Sequence, residues 1–318
     1  MKLKNRKIFI TGGAGFIGSH LIEKIIENNE IIVFDNLHRN ALAYTKLANH
    51  KNLKLIKGDV LDKSSIEKSL DNADIVIHMA AIAGVSTVVE QPTTTLKINL
   101  IGSYNVLEAC RKENVKRYVT FSTSEVYGPN IYQADEAGFT TLGPIGKPRW
   151  VYAVSKLASE FLAESYHRQF GIKFTSVRPF NVYGPRQIGE GAIHNFIVRA
   201  LKNEPLTVHG HGSQIRSWCY IDDVVDAMEK ILSTNKSEGE VFNVGNPQAT
   251  STTLQTAQTV IRLSNSSSKI LFKELKYPEV EIRVPSIEKA KRILGFEPMV
   301  SFEDGIKRTI EWYRENQK

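Results

Sequence analysis

A chain of 318 residues is long enough to bury a substantial core, as one large domain or as two. With 42% apolar and 24% charged residues it reads as an ordinary globular protein, not a disordered or fibrous chain. The formal charge of +7 is spread among acidic residues with no basic run interleaved with aromatics, which argues against nucleic acid and leaves a few cations for an anionic ligand. Cys110 and Cys219 lack metal-ligand spacing and suit a reducing cytosol, so no metal is expected. Met1-Lys2-Leu3 runs directly into a short apolar strand, which predicts no signal peptide. No apolar run approaches the ~20 residues needed to span a bilayer. A cytoplasmic protein with no membrane partner is expected.

In chain order, Lys7-Ile8-Phe9-Ile10 predicts a buried strand, followed by a turn with glycines at 12, 15 and 18 and a helix to about Asn28. Side-chain-free positions let a pyrophosphate approach backbone amides at a helix N-terminus, where the dipole favours negative charge. The next strand, Glu30 to Phe34, ends on Asp35, at the distance where an acid hydrogen-bonds an adenosine ribose. That carboxylate would repel a 2′-phosphate, so NAD is favoured over NADP. Strands are predicted at 53–60, with Asp59 reaching the adenine edge, and at 74–81. A helix carrying Asn99, Tyr104, Leu107 and Cys110 follows, then a strand at 117–121 with Ser122 to Glu125 at its carboxyl end. Ligands of open parallel sheets bind outside the carboxyl ends of strands. Strands alternating with helices predict the α/β class: a Rossmann-like, doubly wound parallel sheet with a smaller C-terminal substrate-binding region.

A helix from about Tyr152 to Phe170 leads into a buried strand at 172–177. From about 181 the pattern loosens into loops and short helices. The predicted division is a dinucleotide-binding domain over 1–180, to which the chain returns at about 215–245, and a substrate region over 181–318. The return uses a helix at 222–232 and a strand at 240–245, and 264–268 reads as a polar loop. His209 and His211 around Gly210 read as a polar hairpin. Trp150, Trp218 and Trp312 read as packing residues, and Asp222-Asp223 as a helix N-terminal carboxylate pair.

Tyr152 and Lys156 are four apart, so on a helix they share one face. A phenol with a pKa of about 10 serves as a base near neutrality only if depressed, and a neighbouring ammonium is expected to do that. Thr123 supplies a hydroxyl that can share the proton, and Glu125 a second titratable group.

Together these pieces resemble the extended short-chain dehydrogenase/reductase family, in its nucleotide-sugar epimerase/dehydratase branch. The resemblance rests on Thr11-Gly12-Gly13-Ala14-Gly15-Phe16-Ile17-Gly18, Asp35-Asn36, Gly58-Asp59-Val60, Met79-Ala80-Ala81, Asn99, Ser122-Thr123-Ser124-Glu125-Val126-Tyr127-Gly128, Tyr152-x-x-x-Lys156 and Arg178-Pro179-Phe180-Asn181-Val182-Tyr183-Gly184-Pro185. It implies tightly bound NAD, contacted by Gly12, Gly15, Phe16, Ile17, Gly18, Asp35, Asn36, Asp59, Val60, Ala80, Ala81, Asn99, Ser122, Tyr152, Lys156, Pro179 and Val182. It implies a UDP-, dTDP- or GDP-linked sugar touching Ser86, Thr123, Glu125, Asn181, Arg186, Val208, Arg216 and Arg283, with Asn181 and Arg216 at the diphosphate. A homodimer through the helices around 97–112 and 152–170 is expected by the same resemblance.

In that family Tyr152 takes the proton of the sugar's 4-hydroxyl while carbon 4 is oxidised, with Thr123, Ser124, Glu125 and Lys156 as the remaining catalytic candidates. From the 4-ketone the paths diverge to 4,6-dehydration, to decarboxylation of a uronate, or to 4-epimerisation. Simple 4-epimerases usually lack an acid at the position of Glu125, so carbon-5 chemistry is expected, with dehydration narrowly ahead. Ser124 departs from the Asp of the commonest hexose dehydratases. The run Gly143 to Tyr152 looks like that of decarboxylases, where Arg149 or Arg216 is available for a substrate carboxylate. The rivals are a cofactor-sensing protein that has lost chemistry and a reductase that releases its cofactor.

Overall fold

The computed structural model describes residues 3–274 and 280–316. Met1 and Lys2, where the expected dinucleotide domain begins, lie outside them. Seven parallel strands form the central sheet in the order Glu240–Val244, Lys173–Pro179, Arg117–Phe121, Ile75–His78, Lys7–Thr11, Glu30–Asp35, Leu53–Lys57. The strand Lys7–Thr11 explains why the sequence reads as a continuous apolar run. Ile8 and Ile10 feed the core on one face and Phe9 the core on the other, all fully buried, as a sheet covered on both faces requires. The first of these cores packs the helices Phe16–Ile25 and Ile221–Leu232, the second the helix Gly102–Lys112.

The strand order reverses at Lys7–Thr11, which has Glu30–Asp35 on one side and Ile75–His78 on the other. Loops leaving those carboxyl ends diverge, and a crevice opens between them. A second sheet, in the order Thr250–Thr252, Ile215–Ser217, Ile282–Pro285, Asn130–Ala134, brings distant segments to the sugar side of that crevice. Its register sets Arg216 directly beside Arg283.

Three local expectations change. The helix carrying Asn99 starts at Pro92 and is interrupted by a π-helical turn, Lys97–Ile101, between Pro92–Leu96 and Gly102–Lys112. His209 ends a strand, Leu206–His209, that pairs in parallel with Ile270–Lys273, so the 209–211 segment is a turn and not a hairpin. Asp222 and Asp223 do occupy the first turn of Ile221–Leu232, but buried Asp223 accepts instead from the amides of Met299 (2.8 Å) and Val300 (3.3 Å). Trp150 and Trp218 are buried, and Trp312 packs edge-on against Tyr44. Among the described residues no helix is long and apolar enough to cross a membrane.

Candidate active site

The crevice is a cleft of about 590 Å³ lined by Gly12, Gly15, Phe16, Ile17, Gly18, Asp35, Asn36, Asp59, Val60, Ala80, Ala81, Ser122, Tyr152, Lys156 and Pro179, all expected from the sequence. Gly12 sits at φ 70°, and a Cβ there would meet the backbone nitrogen of Ala80 at 2.5 Å. Only glycine lets the first turn pass that close to the strand end beside it. The helix Phe16–Ile25 starts at Gly15 with no side-chain cap and no acidic residue in its first turn, so its amides face the cleft unmasked. Asp35 accepts from the amides of Ala14 (3.0 Å) and Leu37 (2.7 Å). Burial raises its carboxyl above the usual range, and those two amides oppose the shift. Ser122 is buried against the cleft, and its Oγ has no hydrogen-bond partner among the described residues. A glycine cradle, open helix amides, a ribose-seeking acid and an orphaned hydroxyl together fit a dinucleotide.

Two expected contacts act at one remove. Asn99 is fully buried and does not line the cleft; its side chain accepts from the Ile82 amide (2.8 Å) and donates to the Ile82 carbonyl (3.1 Å) and to Ser155 Oγ (3.0 Å). It therefore holds the wall that follows Ala81. Val182 pairs with Cys219 and also stands outside the lining. The sequence reading missed a buried chain beneath this wall. Thr11 Oγ1 bonds His78 Nδ1 at 2.7 Å, His78 Nε2 meets Ser103 Oγ at 2.9 Å, and Ser103 donates to the Asn99 carbonyl at 2.6 Å. Since Ser103 donates its proton there, it accepts from His78, which assigns the Nε2–H tautomer. Burial, then the charge of Lys156, pushes His78 down to about 3, so it stays neutral. Ser155, on the same network, donates to the Tyr152 carbonyl at 2.7 Å. The cofactor wall and the catalytic helix are thus fastened to one polar spine.

Tyr152 and Lys156 lie one turn apart on the helix Val151–Phe170, as expected. Their charge relation does not follow the expectation. Burial and then the negative charge of Glu125 push the Tyr152 phenol up, against a hydrogen bond with Thr123 and the charges of Arg283 and Arg149. Lys156 is buried, which lowers it to about 8, and Glu160 opposes that shift. With this chain's groups alone the phenol is held protonated. The signal for Glu160 was in the sequence, one further turn along the same face, and its carboxylate forms a buried pair with Arg178 (2.7 and 2.9 Å).

On the sugar side, Glu125 lies in the short 3-10 turn Ser124–Tyr127, which Thr123 caps by accepting from the Glu125 amide at 3.2 Å. Arg149, from the turn Pro148–Trp150, grips Glu125 through its two terminal guanidinium nitrogens at 2.6 and 3.0 Å. Arg283 adds a third contact at 3.5 Å, and Arg216 acts on the same carboxylate. Burial works against the charge of Glu125, but Arg283 and Arg149 outweigh it and hold the carboxyl below its usual range. Two guanidinium groups thus meet one carboxylate beside the phenol, with the charge of a third, Arg216, acting on it. Buried Ser124 lies next to this cluster in the chain.

The remaining expected substrate residues do not line the dinucleotide cleft. Arg186 does not line the cleft; it is buried against His20 and pairs with Glu23 at 2.7 Å. Burial, then Arg186, lowers His20 to about 4, so the imidazole accepts the guanidinium as a neutral base. Val208 is fully buried, so its side chain belongs to the core, within the strand Leu206–His209. Asn181 donates to the Ser217 carbonyl at 2.8 Å. Arg216 also donates to the carbonyls of Ile215 (3.0 Å) and Val280 (2.5 Å). Ser86 is exposed, and its amide is taken by Glu190 at 2.7 Å.

Comparison with known proteins agrees with this geometry. A model of the NAD dependent epimerase/dehydratase family matches residues 8–245. The chain is 37% identical to a UDP-N-acetyl-alpha-D-glucosaminuronate decarboxylase of Bacillus cytotoxicus, over 98% of each chain. It is 39% identical to UDP-glucuronic acid decarboxylase 3 of Arabidopsis thaliana, over 98% of this chain and 90% of that one. Among solved structures, UDP-glucuronic acid 4-epimerase from Bacillus cereus, in complex with UDP-glucuronic acid and NAD, superposes with a TM-score of 0.90 at 31% identity, covering 97% and 99% of the two chains.

Proposed function

Because the chain belongs to the NAD-dependent epimerase/dehydratase family, we propose that it is a UDP-uronate decarboxylase. On this reading residues 1–180, with the return at 215–245, hold NAD, and 181–318 mainly hold the nucleotide sugar. The observation that carries the reading is the two-pronged grip of Arg149 on Glu125 beside the Tyr152 phenol. Two buried guanidinium groups, those of Arg149 and Arg283, converge on one carboxylate there, and a guanidinium fork of this kind is the group that a sugar bearing its own carboxylate calls for. Decarboxylation displaces the narrow sequence-based preference for dehydration. A dehydratase needs a free base at carbon 5 and an acid for the leaving hydroxyl. Glu125 is clamped and ionised, and Ser124 stands where that acid would be. The two decarboxylases named above align over 98% of the chain.

The chemistry follows from the groups beside Tyr152. NAD, when bound, supplies a reversible acceptor for the hydrogen and electron pair of carbon 4 and a positive ring that favours the phenolate. Tyr152 removes the 4-hydroxyl proton, with Thr123 sharing that oxygen and Lys156 holding positive charge one turn away. The resulting 4-ketone is β to the carboxylate. The bond from carbon 5 to the carboxyl carbon then breaks, carbon dioxide leaves, and the electron pair passes to an enolate whose oxygen is held by Tyr152 and Thr123. Protonation at carbon 5 and return of the electron pair to carbon 4 complete the turnover without external oxidant.

Two further expectations belong to this reading. It is a cytoplasmic homodimer, since the helices Gly102–Lys112 and Val151–Phe170 leave Tyr104, Val154 and Phe161 at 44%, 40% and 64% exposure, an apolar face suited to a second copy. The function is tested by incubating the purified protein, without added NAD, with UDP-glucuronate, UDP-N-acetylglucosaminuronate, UDP-glucose and dTDP-glucose. Loss of carbon dioxide from a uronate is expected. Loss of water from a hexose, or an epimer of unchanged mass, would replace the decarboxylase reading.

A further inference from the structure

Away from the reacting centre, one carboxylate ties a loop to the first turn of the short helix Val85–Glu90 at the rim of the dinucleotide cleft. Glu190 Oε2 accepts from the Ser86 amide at 2.7 Å, while Oε1 accepts from the Thr87 amide at 3.1 Å and from Thr87 Oγ1 at 2.6 Å. Ala83 and Thr87 line one wall of the cleft, Gln187 and Ile188 another, so these bonds join wall to wall. The loop is shaped around the carboxylate: Gly84 sits at φ 111°, and a Cβ there would come within 2.8 Å of the Glu190 carboxyl carbon. A third segment joins them. Arg39, which lines the cleft just after the ribose-seeking Asp35, lies against Gly189. Partial burial works against the charge of Glu190, but the bonds from Thr87 and Ser86, with the charge of Arg39 adding to them, hold its carboxyl below the usual range. Nothing in the chemistry at carbon 4 touches Glu190, so the reaction does not explain it.

We propose that Glu190 is a clasp: its carboxylate holds the 187–191 loop against the start of the helix Val85–Glu90, closed over bound NAD, and sets the rate at which the cofactor leaves. An enzyme that returns the electron pair within one turnover depends on a cofactor that stays between the two half-reactions. Glu190 is a positioning residue, acting through the loops and not on the reacting atoms. The inference rests on NAD occupying the cleft and not on which sugar is processed, so its failure would leave the decarboxylase reading untouched.

The test is the dissociation rate of NAD from the intact holoenzyme, followed by exchange against isotopically labelled NAD. Three charge-assisted bonds at an exposed site predict release about tenfold faster in Glu190→Ala, with Glu190→Gln between that and the parent. Thr87→Val, which removes one of the three bonds, should accelerate release about twofold. The NAD-stripped variants should melt with the stripped parent, because the clasp acts on the loaded cleft. Unchanged release in the Glu190 variants would overturn the proposal. So would faster release that appears only in variants whose stripped form also melts early, since that would mark a structural helix cap. If Glu190→Ala does not fold, Glu190→Gln and Thr87→Val decide: graded acceleration supports the clasp, and parental rates refute it.

Discussion

The two ends of the cleft are assembled in opposite ways. At the dinucleotide end the parts are nearly contiguous, with Gly12, Gly15 and Gly18 in one turn and Asp35 at the end of the strand beside it. What that end demands is backbone: a turn at φ 70° and open amides at a helix start. At the sugar end Glu125, Arg149, Arg216 and Arg283 come from separate turns and strands, brought together by the register of a small sheet. What that end demands is charge balance, which no short motif encodes. Backbone requirements leave fixed spacings in a sequence; a charge cluster leaves scattered arginines that look like surface residues.

The largest expected effect falls at the charge cluster. Glu125→Gln should lower turnover of a UDP-uronate by about 10²–10³-fold and destabilise the fold by ~3 kcal/mol, because it leaves buried guanidinium groups without their carboxylate. The sign with pH follows from the depressed carboxyl. Its contribution is present above the ordinary carboxylate range and is lost as pH falls through the lower folded value. Parent and variant should therefore differ most near neutrality and converge in acid, as read by denaturant melts. A UDP-uronate that raised the variant's melting temperature more than the parent's would sharpen the comparison. It would show that the substrate carboxylate takes the vacated place.

At the other end, Gly12→Ala should cost about 2–3 kcal/mol through strain and backbone overlap, and the protein should purify without NAD. Nucleotide absorbance of the purified protein and its melting temperature check this. If the variant kept its NAD, the contrast between a backbone-built end and a charge-built end would break.

Lys156 sits between the two. Its folded value of about 8 lies below the ordinary 10.5, so burial destabilises the charged form at neutral pH. Stability should rise as pH climbs from about 8 towards 10.5, where the folded chain has released the proton that the unfolded chain still holds. Lys156→Met should abolish turnover yet stabilise the protein by about 2 kcal/mol at pH 7, an advantage that fades across that window and is gone at its upper limit. Melting curves across pH read it directly.

What the sequence made legible follows the same division. The alternation of buried runs with helices, the glycine spacing and Asp35 were enough for the doubly wound sheet and for most of the cleft lining. The Tyr152–Lys156 spacing marked a helix face that does line the cleft, but its electrostatics could not be read from spacing. Burial and Glu125 raise the phenol, and the ammonium that was to lower it is itself depressed. Arg186 belonged to a plausible motif yet points to His20 and Glu23, and Val208 turned inward, because both choices depend on packing between elements far apart in the chain. Arg149 was visible as a candidate for a carboxylate, but that the carboxylate is Glu125 required the turn Pro148–Trp150. Glu190 gave no sequence signal, since a glutamate in a glycine-rich loop reads as solvent-exposed.

The most direct measurement of the central claim is turnover of UDP-glucuronate in deuterated water without added NAD, with the product read by mass spectrometry and proton NMR. The account predicts a pentose product that has lost carbon dioxide and carries one solvent deuterium at carbon 5 and none at carbon 4. Solvent deuterium at carbon 4, or a product that keeps its carboxylate, would contradict it.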